Sequence, residues 1–212
     1  MEKTRGITAV VLAAGTSARM GRPKLLLEYA GRTLVEHAVA AALGAGLGTV
    51  VVTGHAGPEV RAVLAKSWPD HPGLQVMHNP EYRSGMASSL RVGLEASRRA
   101  RAVVVCLADQ PLVTAQTIRR LVDTYLSASP VPPAVVPVYR GARGNPVLLD
   151  SSLFPAVDDL SGDTGARDIL RRHAHDILHV ECGPEVLVDV DTPGDYRGLL
   201  RPGDIRPQDP NL

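Results

Sequence analysis

The sequence has little cysteine and almost no net charge. Only Cys106 and Cys182 occur among its 212 residues, too few for a disulfide framework or a cysteine-based metal site. The 23 basic and 22 acidic residues leave a formal net charge of +1, so the chain lacks the basic excess typical of nucleic-acid binding. We therefore expect a reducing, cytoplasmic location and no nucleic-acid partner.

Long apolar runs and the common phosphate-binding fingerprints are also missing. The run at 7–14 is too short to cross a membrane, and the segment MEKTRG before it is not a convincing secretory signal. No G-x-x-x-x-G-K-[ST] motif occurs, and the glycines at Gly15 and Gly21 do not form G-x-G-x-x-G. We expect no membrane association, and a P-loop ATPase or a nicotinamide-binding fold is disfavoured.

The chain does contain apolar strand patterns that alternate with helical ones. Continuously apolar strands need helices on both sides, so the alternation predicts an α/β fold with three layers and a mostly parallel sheet. A small hairpin excursion is expected in the C-terminal half, where RGARG separates AVVPVY from NPVLLD. We expect one domain over 1–200 and a flexible tail over 201–212. The predicted strands lie at 7–14, 48–54, 74–78 and 102–108, and the predicted helices at 33–46, 57–66, 86–99 and 114–127.

The segment LAAGTSARMGRPK follows the first strand with a glycine-containing, cationic loop. In a parallel α/β sheet the ligand lies beyond the carboxyl ends of the strands, which places this loop at the site. Gly15 and Gly21 allow close backbone approach, while Arg19 and Lys24 supply positive charge. Together they suit a polyphosphate, although each cation taken alone is more typical of a solvated surface loop.

Two distant segments each bring aspartate to a position beside an apolar run. Asp109 follows the strand that ends in CLADQP, and Asp189 and Asp191 alternate with apolar residues in VDVDTPGD. Mg²⁺ is usually held by one or two carboxylates together with phosphates and water. One aspartate from each segment would suffice. The structural alternatives are a turn at Asp109 and a helix cap at Asp191 or Thr192.

The segment HNPEYRSGMASSLRVGLEA combines an Asn-Pro turn with small residues before a helix. Gly85, Ser88 and Ser89 leave room for a flat base, and Asn79 carries both hydrogen-bond donors and an acceptor. Composition alone favours an ordinary loop and helix start here.

The motifs LAAGTSARMGRPK, ADQP and DVDTPGD together resemble the nucleotidyltransferases with a dinucleotide-binding-like fold, and are most similar to the molybdenum cofactor cytidylyltransferases. The resemblance implies a nucleotide-diphospho-sugar transferase-like fold. It also implies catalytic roles for Arg19 and Lys24, with Asp109 and Asp191 holding Mg²⁺, or Mn²⁺ in its place. The implied nucleotide-binding residues are Leu12, Ala13, Ala14, Gly15, Thr16, Ser17, Arg19, Lys24, Asn79, Gly85, Ser88 and Ser89.

The same resemblance bears on both substrates. The segments LAAG and GMASS resemble the cytidylyl branch, whereas guanylyl-transferring relatives typically have LAGG and GPLAG; CTP is therefore the expected donor. RGNPVLL and SGDTGAR resemble acceptor-facing segments, which implies that Asn145, Gly162, Asp163 and Arg167 contact molybdopterin. Asn145 stands where a histidine is more usual. The implied reaction joins CMP to the phosphate of molybdopterin and releases pyrophosphate.

Several alternatives remain open from the sequence. A related nucleotidyltransferase would act on another phosphorylated acceptor, and some relatives have dehydrogenase-like or reductase names. A third reading is a non-catalytic carrier that holds the molybdenum cofactor for its insertion. The resemblance also raises a molybdoenzyme, or a chaperone of its maturation, as a partner. Within SGDTGAR, a helix-capping role for Asp163 or Thr164 is the alternative to acceptor binding.

Overall fold

The computed structural model describes residues 6–162 and 165–201, and all structural statements refer to these. The predicted tail, apart from its first residue, lies outside this range. The strands are β1 (Ile7–Ala13), β2 (Glu28–Tyr29), β3 (Arg32–Thr33), β4 (Gly48–Thr53), β5 (Leu74–His78), β6 (Ala102–Leu107), β7 (Ala134–Tyr139), β8 (Ala142–Arg143), β9 (Val147–Asp150) and β10 (Leu178–Glu181). The α-helices are α1 (Leu34–Gly44), α2 (Gly57–Ser67), α3 (Met86–Ala96), α4 (Ala115–Ser127), α5 (Arg167–Arg172) and α6 (Pro193–Leu199).

The main sheet has the strand order β10-β7-β9-β6-β1-β4-β5, with β8 paired to the C-terminal end of β7. β1 lies in the centre and pairs in parallel with both β4 and β6, and β5 extends the sheet in parallel beyond β4. Parallel pairing brings the carboxyl ends of β1, β4 and β6 to one edge, where α/β proteins bind ligands.

Helices cover both faces of this sheet, as predicted. One apolar cluster packs α1, α2 and α4 against the sheet, and Val11 at its centre is fully buried. A second cluster packs α3 and α5 on the other face, around Val10. Successive residues of β1 thus face opposite cores, which explains why a central strand is apolar throughout.

The C-terminal half confirms a hairpin and adds a feature that the sequence analysis did not anticipate. β7 turns back into the short β8 through antiparallel pairing. β9, however, is inserted into the main sheet between β6 and β7 and runs antiparallel to both. The reason is burial: Val147, Leu148 and Leu149 are each at most 4% exposed, so both faces of the strand need cover.

A third apolar cluster connects the C-terminal end of the described chain to its beginning. Met20, Leu27 and Leu34 pack with Val190 and Leu199. This contact places the segment that carries Asp191 beside the loop that follows β1. In the described ranges no helix is long and apolar enough to cross a membrane.

Candidate active site

A cavity of about 560 Å³ opens at the carboxyl ends of β1 and β6. It brings together predicted site residues from segments that are far apart in sequence. The predicted residues in its wall are Leu12, Ala14, Gly15, Thr16, Ser17, Arg19, Lys24, Gly85, Ser89, Asp109, Asn145, Arg167 and Asp191. The loop that follows β1 thus forms part of the wall of this cavity.

The loop after β1 is held in a compact turn. Ser17 adopts a left-handed backbone with φ of 55°, and its carbonyl accepts a hydrogen bond from the Met20 amide at 2.9 Å. The Ser17 hydroxyl accepts a hydrogen bond from the Lys24 amide at 3.1 Å. Ser17 thus fixes both ends of the turn that presents Arg19 and Lys24 to the cavity.

Lys24 lies between the two aspartates that were predicted as metal ligands. Its Nζ donates to Asp109 Oδ2 at 2.6 Å and to Asp191 Oδ1 at 2.7 Å. Burial alone would lower the pKa of Lys24, but Asp109 and Asp191 outweigh it and raise that pKa above its ordinary value. The ammonium is therefore charged at neutral pH despite being only 8% exposed as a residue.

Arg19 reaches the same carboxylate from the solvent side. Its guanidinium donates to Asp191 Oδ2 at 2.8 Å, and its side chain is 69% exposed. Burial would raise the pKa of Asp191, but the contacts with Lys24 and then Arg19 lower it overall. Each oxygen of Asp191 therefore contacts one of the two cations.

Backbone contacts hold the two aspartate segments together. The Val190 amide donates to the Asp109 carbonyl at 3.0 Å. Thr192 caps α6, and Asp195 accepts hydrogen bonds from the Asp191 and Thr192 amides at 3.0 and 2.6 Å. The helix cap in this segment is thus Thr192, which leaves the Asp191 carboxylate free to face Lys24 and Arg19.

Asp189 also lines the cavity and is the third carboxylate of this group. Its burial, followed by the charges of Asp109 and Asp191, raises its pKa to about 6. Asp109 Oδ1 and Asp189 Oδ1 are buried and make no hydrogen bond within the described chain. Two unsatisfied carboxylate oxygens beside a cavity are suited to an oxygen-binding divalent cation. No group of three or more His, Cys, Asp or Glu in 6–162 and 165–201 has a metal-binding arrangement on its own.

Three residues predicted to bind the nucleotide lie behind the cavity wall instead. Asn79 is 1% exposed; its amide donates to the Ser88 and Ser89 hydroxyls at 2.8 and 2.9 Å, and its oxygen accepts from the Glu81 amide at 2.9 Å. These hydrogen bonds occupy the amide nitrogen and oxygen of Asn79 that were expected to bind the base. Ser88 is likewise turned inward, donating to backbone carbonyls, and Ala13 packs in the core below α1. The Asn79 amide and the Ser88 hydroxyl, which were expected beside a base, are therefore already bonded within the protein.

The predicted acceptor-side segment packs closely on the loop before α3. Gly85 has φ of 107°, and a Cβ at this position would lie 2.3 Å from the Gly162 carbonyl carbon. The Ala87 amide donates to the Gly162 carbonyl at 3.0 Å. Gly162 is thus a neighbour of the cavity loop, whereas Asn145 and Arg167 reach the cavity wall itself. Asp163 lies outside the described residues.

The cavity wall also contains residues that the sequence analysis missed. Tyr82 and Arg83 pair through a cation-π contact, with the guanidinium 5.6 Å from the ring centre. The Tyr82 side chain packs so closely on Gly54 that a Cβ there would lie 2.6 Å away. Met86 begins α3 at the cavity. The available signal was their place within three residues of Gly85, which was predicted to bind the nucleotide.

The arrangement corresponds to a known family. The sequence profile of the MobA-like NTP transferase domain matches residues 9–177. The chain belongs to this family. As a MobA-like NTP transferase it is a nucleotidyltransferase, in agreement with the cationic loop and the carboxylates at the cavity.

The relatives of this chain have different names. The chain is 37% identical over 194 residues to the nicotine blue oxidoreductase of Paenarthrobacter nicotinovorans, and the match covers 88% of this chain and 92% of the relative. It is 25% identical over 190 residues to the molybdenum cofactor cytidylyltransferase of Escherichia coli, covering 90% and 93%. Rv0371c from Mycobacterium tuberculosis is a similar solved structure, with 34% identity, a TM-score of 0.77 and coverage of 92% and 97%. A manganese complex of that protein is also a close match, with a TM-score of 0.75.

Proposed function

We propose that the protein transfers CMP from CTP to the terminal phosphate of molybdopterin and releases pyrophosphate. The observation that carries this proposal is the meeting of Lys24, Asp109 and Asp191 at one end of a ligand-sized cavity. The Escherichia coli relative with cytidylyltransferase activity in its name spans nearly the whole chain and supports the choice of reaction. The LAAG and GMASS segments favour CTP as the donor.

The chemistry requires alignment and charge neutralisation more than proton transfer. An oxygen of the acceptor phosphate attacks the α-phosphorus of CTP, forming a new P–O bond as the bond to the β-phosphate breaks and pyrophosphate leaves. The attacking oxygen is already anionic at neutral pH, so no general base is needed. Lys24 and Arg19 stabilise the negative charge that develops on the transferred group and on pyrophosphate.

The donor set of this site fits Mg²⁺, or Mn²⁺ in its place. Asp109 and Asp191 would hold the ion, and Oδ1 of Asp109 makes no hydrogen bond within the described chain. A divalent cation held there would neutralise charge on the phosphate oxygens. Asp189 lines the same cavity and lies close to these two carboxylates.

The nucleotide side of the cavity consists of two loops with different roles. The loop from Ala14 to Lys24 offers small residues and two cations to the triphosphate. Gly85 and Ser89 supply the narrow wall against the base. Asn79 and Ser88 support this wall from the protein interior.

The acceptor is assigned to the side of the cavity that Asn145 and Arg167 line. Arg167 begins α5, and its planar guanidinium is suited to a phosphate or to the edge of a pterin. Gly162 positions this region through its contact with the loop before α3. The same proposal includes a molybdoenzyme, or a chaperone of its maturation, as a binding partner. The choice of molybdopterin as the acceptor is what suggests this partner.

An oxidoreductase is the second candidate function, because the relative with 37% identity bears that name. The sequence lacks the G-x-G-x-x-G fingerprint. A transferase on another phosphorylated acceptor, or a cofactor carrier, would keep the same cavity.

One assay separates these possibilities. Purified protein is incubated with Mg²⁺ and molybdenum-loaded molybdopterin, and pyrophosphate release is compared for CTP, GTP and ATP. We expect release with CTP that depends on the pterin. Release that depends on GTP or ATP instead, or tight NAD(P)H binding with no release from any nucleotide, would contradict the proposal.

A further inference from the structure

The Lys24 ammonium lies at the position between two carboxylates where a divalent cation is also expected. Its Nζ is 2.6 Å from Asp109 Oδ2 and 2.7 Å from Asp191 Oδ1. The side chain is 10% exposed, so the ammonium is enclosed between the carboxylates and does not extend into solvent. A single ammonium thus neutralises oxygens that come from both aspartate segments.

We propose that Lys24 and a divalent cation compete for Asp109 and Asp191, and that a nucleoside triphosphate resolves the competition by drawing Lys24 onto its phosphates. This inference rests on the proposed function, since it takes the two aspartates as the metal ligands. Mg²⁺ and Mn²⁺ bind carboxylate oxygens at close to 2 Å. A cation that bridges the two aspartates would therefore lie against Nζ, where both sterics and like charge exclude it.

The surroundings of Lys24 allow it to leave. Lysine has a flexible four-carbon stem with a compact charge, so Nζ can change partners without backbone movement. The cavity that Lys24 lines has the volume for a triphosphate and holds Arg19 on the same wall. Arg19 contacts the other oxygen of Asp191 and is mostly exposed, so Asp191 keeps one cationic partner when Lys24 moves.

The oxygens around Lys24 explain why its departure would create a metal site. Asp109 Oδ1 and Asp189 Oδ1 already lack hydrogen-bond partners within the described chain. Loss of the lysine contact would free Asp109 Oδ2 and Asp191 Oδ1 as well. The free protein should thus bind a divalent cation weakly, and the nucleotide should complete the site rather than find it ready.

The experiment measures binding of Mn²⁺ alone to nucleotide-free protein, by the electron paramagnetic resonance signal of unbound Mn²⁺. The wild type is compared with Lys24→Met, which keeps the apolar stem, and with Lys24→Gln as a second variant. Lys66→Met serves as a matched control, because Lys66 is exposed on α2. Circular dichroism and thermal melting establish that each variant is folded.

We expect Mn²⁺ to bind at least about tenfold more tightly when the Lys24 charge is removed, with no change for Lys66→Met. The double variant Lys24→Met/Asp109→Asn should lose this gain. Unchanged or weaker Mn²⁺ binding in the folded Lys24 variants would overturn the proposal, as would a gain that persists in the double variant.

The readout is independent of transferase activity, so the two proposals fail separately. Tighter Mn²⁺ binding without any CMP transfer would retain the competition at Lys24 and reject the proposed reaction. CMP transfer together with unchanged Mn²⁺ binding would do the reverse.

Discussion

At the scale of single residues, Lys24 has the most demanding position in the molecule. It is buried, and although burial lowers the pKa of its ammonium, the two carboxylates beside it outweigh that effect. We expect Lys24→Ala to lower the rate of CMP transfer by roughly 10²-fold or more, as for the loss of one preorganised electrostatic donor. Steady-state pyrophosphate release checks this, with Lys66→Ala as the control. Near-normal turnover would remove Lys24 from the catalytic residues.

Asp109 is the residue at which metal dependence is tested. Its carboxylate contacts Lys24 through Oδ2 and leaves Oδ1 unpaired. Asp109→Asn keeps the shape of the side chain but removes its charge, so transfer should require a much higher Mg²⁺ concentration. The exposed Asp123→Asn on α4 is the matched control. A Mg²⁺ titration that is the same for Asp109→Asn and the wild type would count against metal ligation there.

Tyr125 provides a pH-dependent test of the core, remote from the reaction. Its hydroxyl donates to Asp150 Oδ2 at 2.5 Å, and burial followed by this carboxylate raises the pKa of Tyr125 to about 12. Because the pKa in the folded state is above the ordinary value of 10.0, the stabilisation is complete below pH 10 and is lost as the pH rises toward 12. Tyr125→Phe should remove this alkaline loss and cost about 2 kcal/mol at neutral pH.

Urea unfolding at several pH values between 8 and 12 measures this effect. The free energy of unfolding of the wild type should fall toward that of Tyr125→Phe as the pH rises. Parallel pH curves for the two proteins would show that Tyr125 is not the titrating group.

At the scale of elements, the loop between β5 and α3 is shaped by a buried network rather than by its exposed residues. Asn79 connects the Glu81 amide with the hydroxyls of Ser88 and Ser89. Removing it leaves buried polar groups unpaired, which costs about 1–3 kcal/mol. We expect Asn79→Ala to raise KM for CTP several-fold with a smaller effect on kcat. The reason is that the loop supports Gly85 and Ser89, the proposed contacts of the base, and does not touch the reacting atoms.

Steady-state kinetics with varied CTP checks this prediction. Ser84→Ala is the matched control, since its hydroxyl donates to the Glu81 carbonyl from an exposed position in the same loop. If Asn79→Ala lowers kcat and leaves KM unchanged, the loop acts on the chemical step and the assignment is wrong.

The helices and parallel strands could be predicted because their signals are local. β1, β4, β5 and β6 are short apolar runs, and the start of α1 is set locally by its N-cap Thr33, which forms a capping box with Glu36. The position of β9 could not be predicted, because strand order depends on contacts across the sheet. The burial of Asn79 could not be predicted for the same reason. Its amide has suitable donors and an acceptor for base recognition, but packing against α3 buries the side chain. Lys24 was placed at the site by its motif, whereas its contact with both aspartates required the packing of the C-terminal segment.

At the scale of the whole molecule, the site depends on the packing of the C-terminal segment of the described chain against its N-terminal segment. The cluster of Met20, Leu27 and Leu34 with Val190 and Leu199 holds the Asp191 segment against the loop after β1. The central sheet supplies Asp109 from β6 and the loop from β1. A cationic loop and its carboxylate partners are thus assembled from the N-terminal, middle and C-terminal thirds of the fold.

The most direct test of nucleotidyl transfer follows radioactive phosphorus from CTP into the acceptor. Molybdenum-loaded molybdopterin is incubated with the protein, Mg²⁺ and CTP that carries phosphorus-32 at either the α- or the γ-position. We expect the α-label to move to the pterin product and the γ-label to leave with pyrophosphate. Transfer of the γ-label, or an acceptor that remains unlabelled while CTP is intact, would contradict nucleotidyl transfer at this site.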